Sequence, residues 1–138
     1  MKLYLFGNGN LSFEDFRTHY VRNLDLGTQA DDSFVVCDFR GADTLVMEYL
    51  KHHSGRVQVF HMGERPRYLP DKYRTKVSQW ELVGGFESDE ARDDAAIDAS
   101  THFLAYDTNS SPKRQSGTGR NIDRCLKLGK IRLEAKER

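Results

Sequence analysis

Short apolar runs, each followed by a stretch of helical periodicity, recur along this chain and constrain its fold more than any other feature. Residues 2–6 (Lys-Leu-Tyr-Leu-Phe) and 33–37 (Ser-Phe-Val-Val-Cys) are almost continuously apolar. A strand that alternates apolar and polar side chains leaves one face to water. An unbroken apolar run needs cover on both faces, which helices crossing between parallel strands supply. Residues 56–60 and 101–106 repeat the pattern, and 130–133 closes the series.

Helical periods fill the intervals. Residues 12–21 start at a capping Ser12, with Glu14 and Asp15 at the positive end of the dipole. Leu45, Val46, Tyr49 and Leu50 form an apolar stripe over residues 44–52, with His52 and His53 at its negative end. Ser88 opens an acidic helix over 89–99, and a helix over 118–128 is closed by Gly129. The expected fold is a single α/β domain over residues 1–138, a doubly wound three-layer arrangement on a mainly parallel, five-stranded sheet. The stretch 61–79, with Pro66 and Pro70, reads as a surface loop holding a short helix near 71–76. Residues 80–83 read as a short strand or an extended continuation of that loop, ended by Gly84-Gly85, and 134–138 as a frayed tail.

Charge narrows the function. Among 138 residues, 21 basic and 21 acidic side chains cancel, so no overall field draws a polyanion, and nucleic acid is not favoured as a partner. No apolar run approaches the roughly 20 residues of a membrane helix, and the first is too short for a signal-peptide core. Cys37 and Cys125, far apart, read as buried thiols rather than a disulfide. A cytoplasmic protein without a membrane partner is the expectation.

Ligands of doubly wound sheets sit beyond the carboxyl ends of the strands, where strand order reverses, which directs attention to three loops. Gly7-Asn8-Gly9-Asn10 follows the first strand. Its glycines allow close backbone approach and its N–H groups suit an anion, although the same residues also make an ordinary strand-to-helix turn. Arg40-Gly41-Ala42-Asp43 follows the second strand. Arg40 suits a phosphate or carboxylate and Asp43 a helix cap facing the cleft; a plain N-cap with a solvated arginine is the other reading. The third loop ends in Ser116-Gly117-Thr118-Gly119-Arg120-Asn121, where small residues and hydroxyls at a helix start suit a phosphate. Asp107, at its strand side, suits ribose hydroxyls.

Elsewhere the chain offers less. The acidic run 87–98 has Asp94 and Asp98 on one helical face, but solvated helix faces look the same, and no metal site is expected. His61 and His102 lack partners at metal-binding spacing, no nucleophile–base pair stands out, and no cofactor is implied.

Taken in order, the Gly-rich turn, Arg40-Gly41-Ala42-Asp43, Arg92-Asp93, the 99–107 run Ala-Ser-Thr-His-Phe-Leu-Ala-Tyr-Asp, Ser116-Gly117-Thr118, Asn121-Ile122 and Leu128-Gly129-Lys130 carry a resemblance. The chain resembles the SLOG superfamily of Rossmann-like domains, which includes the lonely-guy phosphoribohydrolases and the DNA-processing Smf proteins. It is also similar to the nucleoside 2-deoxyribosyltransferases. The resemblance implies a Rossmann-like fold and a cleft for nucleotides or their derivatives, with cleavage or transfer at an N-glycosidic bond in some members. The transferases and phosphoribohydrolases carry a glutamate shortly after the Gly-Thr turn; here Arg120, Asn121 and Asp123 occupy that turn of helix. Asn121 suits a sugar hydroxyl but is no nucleophile, and Glu48 is the candidate substitute.

The expected function is therefore binding of a nucleotide-like small molecule, for sensing or sequestering, through Gly7, Asn8, Gly9, Arg40, Gly41, Asp43, Asp107, Ser116, Gly117, Thr118 and Asn121. The alternative is an N-glycosidase or deoxyribosyltransferase-like enzyme, with Asp43, Glu48 and Asp107 as catalytic candidates and Asp94 and Asp123 as further acids near the cleft. A homo-oligomer, in contact through the aromatic segment 68–80, is a third expectation.

Overall fold

The computed structural model describes residues 1–134. The apolar runs become β1 (Lys2–Gly7), β2 (Ser33–Cys37), β3 (Val57–Met62) and β5 (His102–Tyr106), joined by β4 (Glu81–Phe86) and a short β6 (Ile131–Arg132). All six pair in parallel, in the order β4-β3-β2-β1-β5-β6. The helices are α1 (Phe13–His19), α2 (Val21–Gln29), α3 (Ala42–Leu50), α4 (Asp89–Asp98) and α5 (Gly117–Lys127). They form two layers. Leu3 and Leu5 of β1 join Phe16, Leu24 and Met47 of α1, α2 and α3 on one face; Tyr4 and Phe6 join Ala96, Ile97, Ile122 and Cys125 of α4 and α5 on the other. The mixed α/β, doubly wound, three-layer Rossmann-like architecture is thus present, with six strands rather than five. Both cysteines are free and buried.

The sixth strand is β4. It runs through Gly84-Gly85 instead of ending there, because the buried His61 ring lies where a Cβ on Gly84 would stand. Beyond a register shift between Phe60 and Met62, Gly63 N–H donates to Phe86 O (3.2 Å) and Gly85 N–H to Gly63 O (2.8 Å). The β3–β4 crossover contains a 3₁₀ turn at Lys76–Gln79 rather than a helix near 71–76. Val77 and Trp80 anchor it in the core, and Trp80 Nε1 donates to Ser54 O (2.8 Å). The aromatic segment is therefore largely used within the molecule. Tyr68 bonds Glu48, and Tyr73 remains exposed.

The reading of 12–21 as one helix is corrected to two. Ser12 caps α1, its Oγ accepting from Asp15 N–H (3.0 Å), but the chain breaks step at Tyr20 and continues as α2. Tyr20 is fully buried; its hydroxyl donates to Phe6 O (2.7 Å) and accepts from Tyr106 N–H (3.0 Å), pinning the junction to the carboxyl ends of β1 and β5. Gly27 weakens the helical signal of α2, yet a Cβ there would stand 3.0 Å from the Phe34 ring, so packing requires what propensity disfavours. The helix over 44–52 begins instead at Ala42 and ends at Leu50, leaving His52 and His53 beyond it. Glu134 is described and accepts from Asn23 Nδ2 through its carbonyl (2.9 Å); the rest of the expected tail, residues 135–138, lies outside the described residues. Among the described residues, no helix is long and apolar enough to cross a membrane.

Candidate functional site

β1 lies between β2 and β5, and the chain leaves β1 and β5 toward opposite faces of the sheet, opening a crevice beyond their carboxyl ends. Gly7 is in register with Tyr106, so the turns that follow both strands start side by side. Asn8, the next residue, is buried and ties the surrounding loops together. Its carbonyl accepts from Ala42 N–H (3.2 Å) in the loop after β2. Its Nδ2 donates to Asp107 Oδ1 (2.9 Å) and Thr118 Oγ1 (3.2 Å), and its Oδ1 accepts from Thr108 N–H (2.8 Å). The amide is fully engaged by protein, so Asn8 acts here by holding three loops together.

Close backbone approach completes the junction. Gly41 has φ +74°, and a Cβ on it would stand 2.5 Å from the Asn8 carbonyl oxygen and the Gly9 carbonyl. A Cβ on Gly9 would meet the Phe39 ring at 2.9 Å. The two glycine-bearing turns are thus packed against each other. They stand on one side of a cavity of about 530 Å³ whose other side is the start of α5, at Ser116, Gly117 and Thr118.

The cavity is electrically polarised. At the α5 end, Ser116 Oγ accepts from Gly119 N–H (2.9 Å) and donates to Asp107 Oδ1 (2.9 Å). The N–H groups of Gly117 and Thr118 make no hydrogen bond among the described residues. Arg114 and Arg120 line this end with no carboxylate in ion-pair range among the described residues. Asp107 lies beneath the lining. Burial would raise its pKa, but hydrogen bonds from Ser110, Asn8, Asn109 N–H and Ser116 prevail and bring it down to about 2.

The opposite end is acidic and aromatic, lined by Asp43, Asp89, Arg92 and Asp93 with Tyr4, Phe6 and Phe39. Arg92 is 4% exposed and bonds Asp38 (2.9 Å), Asp89 (2.9 Å) and Asp93 (3.0 Å). Arg67 reinforces the first two, and Asn121 Nδ2 donates to Asp93 Oδ2 (2.9 Å). Asp43, 6% exposed, stands apart from this network: its Oδ2 accepts from Phe39 N–H (3.0 Å). Burial raises its pKa, the Phe39 N–H and Arg92 oppose, Asp93 and Asp38 add to the rise, and the balance is about 8.

Of the residues expected at the site, Gly7, Asn8, Gly9, Asp43, Ser116, Gly117, Thr118 and Asn121 line this cavity. Gly41 supports it from behind, as does Asp107. Arg40 does not reach it; its guanidinium lies 5.3 Å from the Phe39 ring centroid, in a separate groove with Arg67 and Tyr68. Glu48 is outside as well, bonded to Lys51 Nζ (2.7 Å) and to the Tyr68 hydroxyl. Asp94 pairs with Arg124 (2.7 Å), and Asp123 accepts from Gln115. Asp43 is not the N-cap of α3, which is Gly41; it sits in the first turn with its carboxyl folded back on Phe39.

Sequence reasoning missed Arg92, Asp93 and Phe39 as site residues, as well as Arg114 and Arg120 at the α5 end. For Arg92 the legible signal was a lone arginine four positions before Ala96, on the buried stripe of an acidic helix. Among the described residues, no group of three His, Cys, Asp or Glu side chains is arranged to hold a metal ion. Comparison with protein-family models and with curated proteins finds no match to this chain.

Proposed function

We propose that this chain binds a nucleotide or nucleotide-derived molecule, in a sensing or sequestering role, and that its cleft is of the SLOG and deoxyribosyltransferase-like kind. The observation that carries the reading is the polarised cavity at the strand-order reversal, held open by Asn8 between two glycine turns and the start of α5. Phosphate belongs at the α5 end, where unengaged N–H groups and the guanidiniums of Arg114 and Arg120 favour an anion. The base belongs at the other end, where Phe6 and Phe39 supply apolar lining and Asp43 and Asn121 supply polar groups.

Binding is better supported than N-glycosidic chemistry, because of the three carboxyls expected to act only Asp43 lines the cavity, and such chemistry needs a second group beside it. Asp107 accepts from four groups and Glu48 lies outside the cavity. Calorimetry with nucleoside mono-, di- and triphosphates tests the reading. A binding member at about a hundred times its Kd should stabilise the protein by about 2.7 kcal/mol. Arg120→Ala should weaken phosphorylated ligands about tenfold and unphosphorylated nucleosides hardly at all. Absence of heat and of thermal shift across the panel would refute it.

A further inference from the structure

Among the described residues, Asp43 is the one cavity carboxyl that makes no ion pair. Arg92, the guanidinium of this end, already bonds Asp38, Asp89 and Asp93. Oδ2 of Asp43 accepts from Phe39 N–H, and Oδ1 has no hydrogen-bond partner among the described residues although the side chain lines the cavity. The charged and titratable groups around it are Asp38 and Cys37 on the β2 side, Arg92 and Asp93 on α4, Tyr4 on β1, and Tyr20 between α1 and α2. An ionised Asp43 would be a buried charge whose one nearby cation among the described residues, Arg92, is already bonded to three other carboxylates, and burial disfavours it strongly.

We infer that Asp43 meets the ligand as a carboxylic acid, with its Oδ1 hydroxyl donating to an acceptor atom, a ring nitrogen or carbonyl, of the bound base. The inference rests on the nucleotide reading above and adds a rule of selection: the base must present an acceptor at this point, and a group that only donates is refused. Neutral Asp43 donates; once ionised, near pH 8, it faces the acceptor with a lone pair and a negative charge. Affinity is therefore full below that pH and falls above it.

The test is calorimetry with adenosine, guanosine, cytidine and uridine monophosphates between about pH 7 and pH 9, on the unsubstituted protein and on Asp43→Asn. An asparagine amide keeps a donor there and does not titrate. For any nucleotide that binds, the two proteins should agree within about threefold at pH 7, and the unsubstituted protein should be about tenfold weaker at pH 9. Ionisation of the base affects both proteins and cancels in the ratio. A ratio constant with pH, or a loss beyond tenfold in Asp43→Asn at pH 7, overturns the inference while leaving nucleotide binding intact. No binding to either protein by these four or by their di- and triphosphates overturns the parent reading and the inference with it. Infrared difference spectra of the unsubstituted protein with and without adenosine monophosphate need no variant. A perturbed protonated-carboxyl stretch supports the inference, and carboxylate bands alone overturn it.

Discussion

At the scale of single residues, the site is built from positions where one atom more would not fit. Gly41 combines a positive φ with contact to the Asn8–Gly9 backbone, so alanine there meets both conformational strain and a clash with main chain that cannot rotate away. Gly41→Ala should cost about 1–3 kcal/mol in denaturant unfolding and weaken any ligand of the cavity, because the displaced turn carries Asn8. Asn8 and Asp107 illustrate a second point. Both look like ligand-binding residues from their place after a strand, and both spend their polar atoms on neighbouring loops. Polar groups at a strand end therefore divide into those that touch a ligand and those that hold the touching groups in place, and hydrogen-bond saturation distinguishes them.

At the scale of elements, the break between α1 and α2 has a cause in the sheet. The buried Tyr20 hydroxyl bridges Phe6 O and Tyr106 N–H, so one side chain fixes the helix junction against the two strands that flank the cavity. Tyr20→Phe should destabilise the protein by about 1–3 kcal/mol, since it removes two buried hydrogen bonds and leaves their backbone partners dry. Amide hydrogen exchange should show the loss of protection concentrated at Tyr106 and in the loop that follows; uniform loss across the molecule would contradict this local role. The closing helix was more legible than the opening pair. Ser116 caps α5, and at its other end Lys130 N–H reaches back to Cys125 O (2.9 Å) around Gly129, whose φ is +78°. Both signals are local in the chain, which is why they could be read from it.

At the scale of the whole molecule, Arg92 joins parts that are distant in sequence. From α4 it bonds the residue after β2, and Arg67 from the β3–β4 crossover shares two of its carboxylates. Arg92→Ala would leave the buried Asp38, which is 1% exposed, with Arg67 as its remaining cation among the described residues, and should cost about 1.5–3 kcal/mol. Thermal unfolding should reveal the loss. Substituting Arg92 and Asp38 together by apolar residues should recover part of it, whereas additive losses would place the effect elsewhere.

Five of the six strands and their parallel sheet followed from sequence because covered strands are continuously apolar, and that pattern is local. The loops that border the cavity followed too, since chain direction alone puts them at one edge of the sheet. The neighbours of those loops did not follow. Whether Asp107 meets solvent or Asn8, whether Arg40 reaches the cavity or lies on Phe39, and which cavity carboxyl makes no ion pair among the described residues all depend on contacts between residues far apart in the chain. β4 was obscured for the same reason. A strand through Gly84-Gly85 looks unfavourable until the His61 ring from the adjacent strand occupies the space that the missing Cβ leaves. Periodicity and caps act over a few residues and are written in the chain; charge pairing and close packing depend on distances that exist only once the sheet has formed.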